Sequence, residues 1–312
     1  MTSLAESWGT LDQVRVRVPA KINLALCVGG RRPDGYHELA TIFHAVSIYD
    51  EVTAISAPTG ISCEVNGPLA DRIGSMEDNL AYRAACLLRD EYGVSQGVHL
   101  TIDKRIPVAG GMAGGSADAA GALLACAHLW QVGANQQDLL ALAARLGADV
   151  PFPLMGGCAV GLGRGETLTP ALSRGVFHWV LAFAATGLAT PDVFARFDQL
   201  AGTAKSRPAR PEVPRALMMA LVAGQTDRVG GLLVNDLQAA ACSLNPALRA
   251  TLAAGREAGA LGAIVSGSGP TIAFLAADEP AATDLAVDLS SRGVAHEVRL
   301  ATGPVPGATI MG

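Results

Sequence analysis

With 312 residues, half of them hydrophobic and 16% charged, the chain has the make-up of a well-buried globular enzyme and the length for two cores, which excludes disordered and fibrous classes. A formal net charge of −5, with no basic run to offset it, argues against a nucleic-acid surface. No apolar run reaches the roughly 18 residues of a membrane span, and residues 1–12 lack the basic start and apolar core of a signal peptide, so a cytoplasmic protein is expected.

The six cysteines are scattered without a C-x-x-C pair and read as reduced core thiols, and no structural metal is expected. Of the 23 basic residues only Lys21, Lys104 and Lys205 are lysines. A chain so rich in arginine keeps lysine where a compact ammonium is needed.

Residues 14–18 alternate as a strand, and after Pro19 the alternation resumes through Ala20, Ile22, Leu24 and Leu26. Lys21 and Asn23 then share the opposite face, where a lysine needs a carboxylate or an anionic ligand. Residues 29–37 are dense in turn formers and predict a surface loop carrying Tyr36 and His37, a stacking ring beside a hydrogen-bonding ring. Strands are predicted over 51–55, 61–65 and 98–102, and a helix over 79–92 initiated around 75–78.

The stretch 107–121 reads Pro-Val-Ala-Gly-Gly-Met-Ala-Gly-Gly-Ser-Ala-Asp-Ala-Ala-Gly. Gly110, Gly111, Gly114 and Gly115 free the backbone for positive φ and leave its N–H groups uncovered. Apolar spacing at Ala120, Leu123, Leu124, Ala127 and Trp130 predicts a helix over 119–130, with Ser116 at its start. Strand, glycine loop and helix N-terminus in that order form a phosphate cradle, because the helix end supplies partial positive charge and unpaired donors. Neither the Walker string nor the dinucleotide string G-x-G-x-x-G occurs in this loop; the alternative is a flexible connector.

A helix over 138–146 stops at Gly147. Asp149 follows in a non-helical turn, since Pro151 disfavours a helical Val150; it is either a turn-stabilising carboxylate or a general base at the phosphate end. Residues 156–165 show no regular period, and 176–184 read as a buried strand. A helix opens at 190–194 with Thr190 as N-cap and Pro191 at its first position. A domain boundary is expected near residue 170. Residues 201–214 read as a loop, 217–222, 228–241, 247–258 and 284–291 as helices, and 296–300 as a strand. The small-residue turn at 266–269, between two strand-like runs, is either a second phosphate-facing loop or a plain hairpin turn.

Three strings, Pro-Ala-Lys-Ile-Asn-Leu at 19–24, the loop at 107–120 and Ser-Gly-Ser-Gly-Pro-Thr at 266–271, together resemble the three ordered motifs of the GHMP kinase superfamily. Four further strings, at 32–39, 104–116, 146–152 and 235–238, are similar to the branch acting on 4-diphosphocytidyl-2-C-methyl-D-erythritol in the non-mevalonate isoprenoid pathway. The likeness runs from about residue 14 to 305. It implies an α+β, two-domain GHMP kinase fold: a ribosomal-protein-S5-domain-2-like α/β half over 1–170 holding ATP, and an α+β half over 171–312 helping to hold substrate.

The resemblance also implies transfer of phosphate from ATP, with Mg2+, to the C2 hydroxyl of that small molecule. Asp149 would take the hydroxyl proton, and Lys21 would orient Asp149 and stabilise charge. Lys104, Pro107, Val108, Ala109, Gly110, Gly111, Met112, Ala113, Gly114, Gly115, Ser116, Ala117 and Asp118 fall at nucleotide-binding positions, with Ser116 against phosphate or magnesium. Asn23, Tyr36, His37 and Phe194 fall at substrate contacts: His37 on the cytosine edge, Tyr36 on its face and Phe194 as a second wall. The family often has paired serines where this chain has Ser116 and Ala117, and glycines where it has Ala109 and Ala113, which should only stiffen the loop. A homoserine or mevalonate kinase would leave Tyr36, His37 and Phe194 without purpose. A non-catalytic nucleotide-binding protein would have altered Lys21 or Asp149. A monomer or weak homodimer is expected.

Overall fold

The computed structural model describes residues 12–67, 75–200 and 208–312; the expected loop at 201–214 lies outside them up to position 207, as do Lys205 and residues 1–11. Two long antiparallel strands, β1 (Gln13–Arg31) and β2 (His37–Ala57), form the spine of the first sheet and pair from Gln13 opposite Ile55 to Arg31 opposite His37. Pro19 has no N–H to give a ladder, and it falls at a shift of register between Pro19 and Ala20, where none is required.

Each half of β2 has a different neighbour. Beyond β3 (Ile61–Asn66), strand β4 (Gly97–Asp103) pairs with residues 51–57, and β5 (Cys158–Gly163) pairs with residues 39–44. Strand β6 (Thr167–Ala171) extends β5, while β8 (Val234–Asn235) and β12 (Thr309–Met311) both join β1. Helices α1 (Leu80–Tyr92), α2 (Gly114–Leu129), α3 (Gln136–Leu146) and the short α4 (Pro151–Met155) complete this part. Asn79 caps α1 by accepting from Ala81 N, and Asn135 with Asp138 forms a capping box on α3. Helix α2 is apolar almost all round and buried accordingly. Gly121 lets it sit against β2: a Cβ there would lie 2.8 Å from Val52 Cγ2.

A second, all-antiparallel sheet has the order β11 (Glu297–Gly303), β7 (Phe177–Phe183), β10 (Ile272–Ala276), β9 (Gly262–Val265). Around it lie α5 (Thr190–Leu200), α6 (Arg215–Ala223), α7 (Thr226–Gly231), α8 (Gln238–Leu244), α9 (Ala247–Glu257) and α10 (Glu279–Ser291). One apolar cluster runs from Val16 on β1 through Ala120 on α2 to Trp179 on β7 and Leu275 on β10, so the sheets share a core.

Four expectations change. Residues 29–31 continue β1 and His37 opens β2, leaving only 32–36 as a turn; a register shift between Val28 and Arg31 absorbs the glycines. The glycine-rich 156–165 contains β5, whose strand character comes from pairing with β2, and Gly161 lies where a Cβ would approach Phe43 to 2.8 Å. The helix expected at 228–241 is broken, because Asn235 turns inward: its Nδ2 donates to Val265 O and Gly267 O, and its Oδ1 accepts from Leu237 N. Val150 takes helical angles despite Pro151, which starts α4 where no N–H is needed.

His44 ties the sheets together. Trp179 Nε1 donates to His44 Nε2 at 3.2 Å, so the imidazole proton is on Nδ1, 3.0 Å from Cys158 Sγ. Burial holds the His44 pKa down at about 3. The unfolded chain, near 6.5, therefore binds the extra proton as pH falls between 6.5 and 3, and stability on the order of 4 kcal/mol is lost across that window. Urea unfolding should give midpoints that fall from pH 7 to pH 4, and His44→Leu should remove this part of the slope. An unchanged slope in the variant would contradict the assignment.

Candidate active site

A cleft of about 1090 Å³ is lined by β1, β2, the loop before α2, the first turn of α2, the α3–α4 turn, α5 and the β9–β10 turn. The loop is hung from its carbonyls. Gly111 O accepts from Lys21 Nζ (3.1 Å) and Ser266 Oγ (3.0 Å), Gly110 O from Thr271 N (3.3 Å), and Met112 O from Lys21 N (3.3 Å). Gly111 has φ +76°, and a Cβ on it would fall 2.1 Å from Ser266 O, so no side chain fits.

Ala109 and Ala113 also take positive φ, 52° and 58°. These alanines thus do more than stiffen the loop: each holds a conformation costing about 1 kcal/mol for an L residue. Helix α2 starts at Gly114, earlier than the expected 119, and no side chain caps it. The N–H groups of Gly114, Gly115 and Ser116 have no partner within the helix, and all three residues line the cleft. A helix N-terminus with free donors can receive an anion.

Lys21 is 4% exposed. Its Nζ donates to Asn23 Oδ1 at 2.7 Å and lies 3.8 Å from Asp149 Oδ2. Burial pulls its pKa down, and the Asp149 carboxylate opposes the pull. Asp149 sits in the turn closed by Val150 N donating to Gly147 O, with its carboxylate half open to the cleft. Asn23 is oriented from behind: Thr41 Oγ1 donates to Ala25 O (2.6 Å), so it accepts from Asn23 Nδ2 (2.8 Å), which turns Asn23 Oδ1 to the ammonium.

Lys104 does not line the cleft. It is 1% exposed beneath the loop, 2.5 Å from Asp50 Oδ2 and 2.7 Å from Asp118 Oδ2. Asp50 Oδ1 accepts from the backbone N–H groups of Arg105 and Ile106. Burial pulls Lys104 down, but the Asp118 and Asp50 carboxylates outweigh it and hold its pKa up. Through the N–H groups of Arg105 and Ile106 the triad fastens the chain entering the loop, and it lies so close beneath the loop that a Cβ on Gly114 would be 2.9 Å from Lys104 Nζ. Lys104, Pro107, Val108, Met112, Ala117 and Asp118 are absent from the lining of the cleft, whereas Ala109, Gly110, Gly111 and Ala113 belong to it.

At the other end Tyr36, His37 and Phe194 come together. His37 is buried, not in a solvated loop, and stacks on Phe194 with centroids 5.2 Å apart and planes 20° apart. One face of Phe194 is therefore already covered. Tyr36 is 57% exposed, with the Arg164 guanidinium 5.1 Å from its ring centroid. Thr190, Phe194 and Asp198, spaced four apart, line the cleft along α5; α5 starts at Thr190 and Val193 N donates to Ala189 O, so Thr190 stands inside the first turn instead of capping it, and its hydroxyl meets Ser268 Oγ at 2.9 Å. Arg31, Arg145, Arg164, Thr41 and Asp198 gave no sequence signal, because arginine is common throughout and the other two matter through partners far away in the chain.

Residues 79–157 match the family model described as GHMP kinases N terminal domain, and residues 217–295 match GHMP kinases C terminal. The chain belongs to the GHMP kinases. A curated relative from Mycolicibacterium smegmatis, named 4-diphosphocytidyl-2-C-methyl-D-erythritol kinase, is 54% identical over 310 residues, covering 99% of this chain and 96% of the relative. One of the same name from Mycobacterium tuberculosis strain H37Rv is 53% identical over 98% of this chain and 96% of its own length. A crystal structure of 4-(cytidine 5'-diphospho)-2C-methyl-D-erythritol kinase superposes with TM-score 0.75 at 35% identity, covering 92% of this chain and 98% of the other. Homoserine kinase from Cytophaga hutchinsonii, at TM-score 0.74 and 18% identity over 100% and 99%, shares the GHMP fold.

In this GHMP kinase, Gly111→Ala should cost about 2–4 kcal/mol by urea unfolding, since both φ and space forbid it. Gly115→Ala, whose added Cβ would be 3.8 Å from Leu80 Cδ1, should fold almost as well as the wild type. Equal stability of all three proteins would contradict the loop geometry.

Proposed function

We propose that this GHMP kinase transfers the γ-phosphoryl group of ATP to the C2 hydroxyl of 4-diphosphocytidyl-2-C-methyl-D-erythritol, the substrate named in its 53–54% identical relatives. Asp149 and Lys21 support the reading: a carboxylate and an ammonium 3.8 Å apart that line one cleft together with a helix N-terminus and a cluster of rings. Phosphoryl transfer is mostly positioning and charge stabilisation, so a base beside the hydroxyl and a fixed cation beside the moving group suffice.

Asp149 accepts the C2 hydroxyl proton as the oxygen–phosphorus bond forms and the bond to the ADP oxygen breaks. Lys21, held by Gly111 and Asn23, meets the charge on the attacking oxygen and the phosphoryl group. Its ammonium cannot drift, because two acceptors and burial fix it. The uncapped start of α2 receives the nucleotide phosphates, and Ser116 adds a hydroxyl there. Arg31, Arg145 and Arg164, which line the cleft of a net acidic protein, suit a diphosphate-bearing substrate. Residues 1–170 would supply the nucleotide side, and 171–312 the α5 wall and the hairpin turn.

No group of three or more His, Cys, Asp or Glu side chains able to hold a metal ion exists among the described residues. Magnesium carried on the nucleotide phosphates would meet the Ser116 hydroxyl, which lines the cleft in the first turn of α2. Bound there, it would neutralise phosphate charge. No helix among the described residues is long and apolar enough to cross a membrane.

ADP release by the purified protein, with ATP and magnesium, is compared for 4-diphosphocytidyl-2-C-methyl-D-erythritol, homoserine, mevalonate and no acceptor. Strong stimulation by the cytidyl compound alone is expected. Stimulation by homoserine or mevalonate instead would overturn the substrate, and none at all would overturn the enzyme.

A further inference from the structure

The acceptor end of the cleft contains a carboxylate with no part in the chemistry above. Asp198 lies on α5, and its Oδ1 is 3.0 Å from His37 Nε2. An ionised carboxylate only accepts hydrogen bonds, so Nε2 carries the hydrogen and donates it. A neutral imidazole has a single N–H, and its Nδ1 is then a lone-pair acceptor. The ring is 6% exposed, stacked on Phe194 and met edge-on by Phe197 with centroids 6.1 Å apart, so it is held from turning over to exchange its nitrogens. His37 itself lines the cleft.

We propose that Asp198 is a specificity-determining positioning residue: by holding His37 in the Nε2–H form it presents an acceptor to the cleft, which selects a pyrimidine bearing an exocyclic amino group over one bearing a carbonyl there. The inference rests on the cytidyl reading of the site. Cytosine offers an amino hydrogen to Nδ1, whereas uracil offers a second lone pair. A site built to pair with an N–H rejects the analogue that lacks it, because its own polar group is left unpaired. Asp198 does this without touching the reacting atoms.

The test uses the full chain with Asp198→Ala and Asp198→Asn. ADP release is measured with the cytidyl acceptor and with its uridyl counterpart, and the His37 tautomer is read from imidazole ¹⁵N spectra assigned against His37→Gln. The wild type should prefer the cytidyl compound and show hydrogen on Nε2. Asp198→Ala should raise the cytidyl KM about tenfold, shrink the cytidyl-over-uridyl preference about as much, and leave the ATP KM within about twofold. Asp198→Asn, whose amide oxygen can accept the same N–H, should recover most of the preference. An unchanged preference in Asp198→Ala, an equal loss on both acceptors, or hydrogen on Nδ1 in the wild type would overturn the role of Asp198. Failure of the wild type to use the cytidyl compound would overturn the underlying reading instead.

Discussion

The carbonyl oxygen of Gly111 is the point on which the site hangs. It accepts from Lys21 on the first strand and from Ser266 on a hairpin turn more than a hundred residues later. The Ser266 bond brings the loop so close to that turn that only glycine fits. The same close pass holds the buried ammonium beside Asp149 and leaves the N–H groups at the start of α2 facing the cleft. Fold and chemistry thus meet in one backbone atom. The hairpin is itself fastened by Asn235, which donates to Val265 O and Gly267 O, and by Gln238, which accepts from Val265 N.

Charge is arranged on two levels. Beneath the loop Lys104 is enclosed by Asp50 and Asp118 and serves the fold, since removing one partner of such a buried group would leave the others uncompensated. In the cleft Lys21 is buried against neutral acceptors with its carboxylate partner farther off, which leaves its charge available to a ligand. The two lysines look alike in the sequence and differ only in what surrounds them.

Much of this was legible in the chain. The alternation of β1 set Lys21 and Asn23 opposite the apolar face, the glycines of 107–121 announced a loop and helix, and the stop at Gly147 with Pro151 after it put Asp149 in a turn past α3. Those signals are local. The rest depends on distant partners: β5 is a strand because β2 lies beside it, His37 is buried because α5 covers it, and Lys104 faces inward because Asp50 lies on a neighbouring strand. The 266–269 turn joins antiparallel strands, as a hairpin turn does, and its Gly267 and Ser268 also line the cleft. The alanines at 109 and 113 concealed left-handed backbone that glycine would have advertised.

On the proposed mechanism the fixed charge of Lys21 drives the transfer and has little share in holding the nucleotide. Single-turnover phosphoryl transfer by Lys21→Met tests it most directly, because methionine keeps volume and burial while removing the charge. ATP affinity within about threefold of wild type and a transfer rate reduced about a hundredfold or more are predicted. A transfer rate within about threefold of wild type would contradict the account.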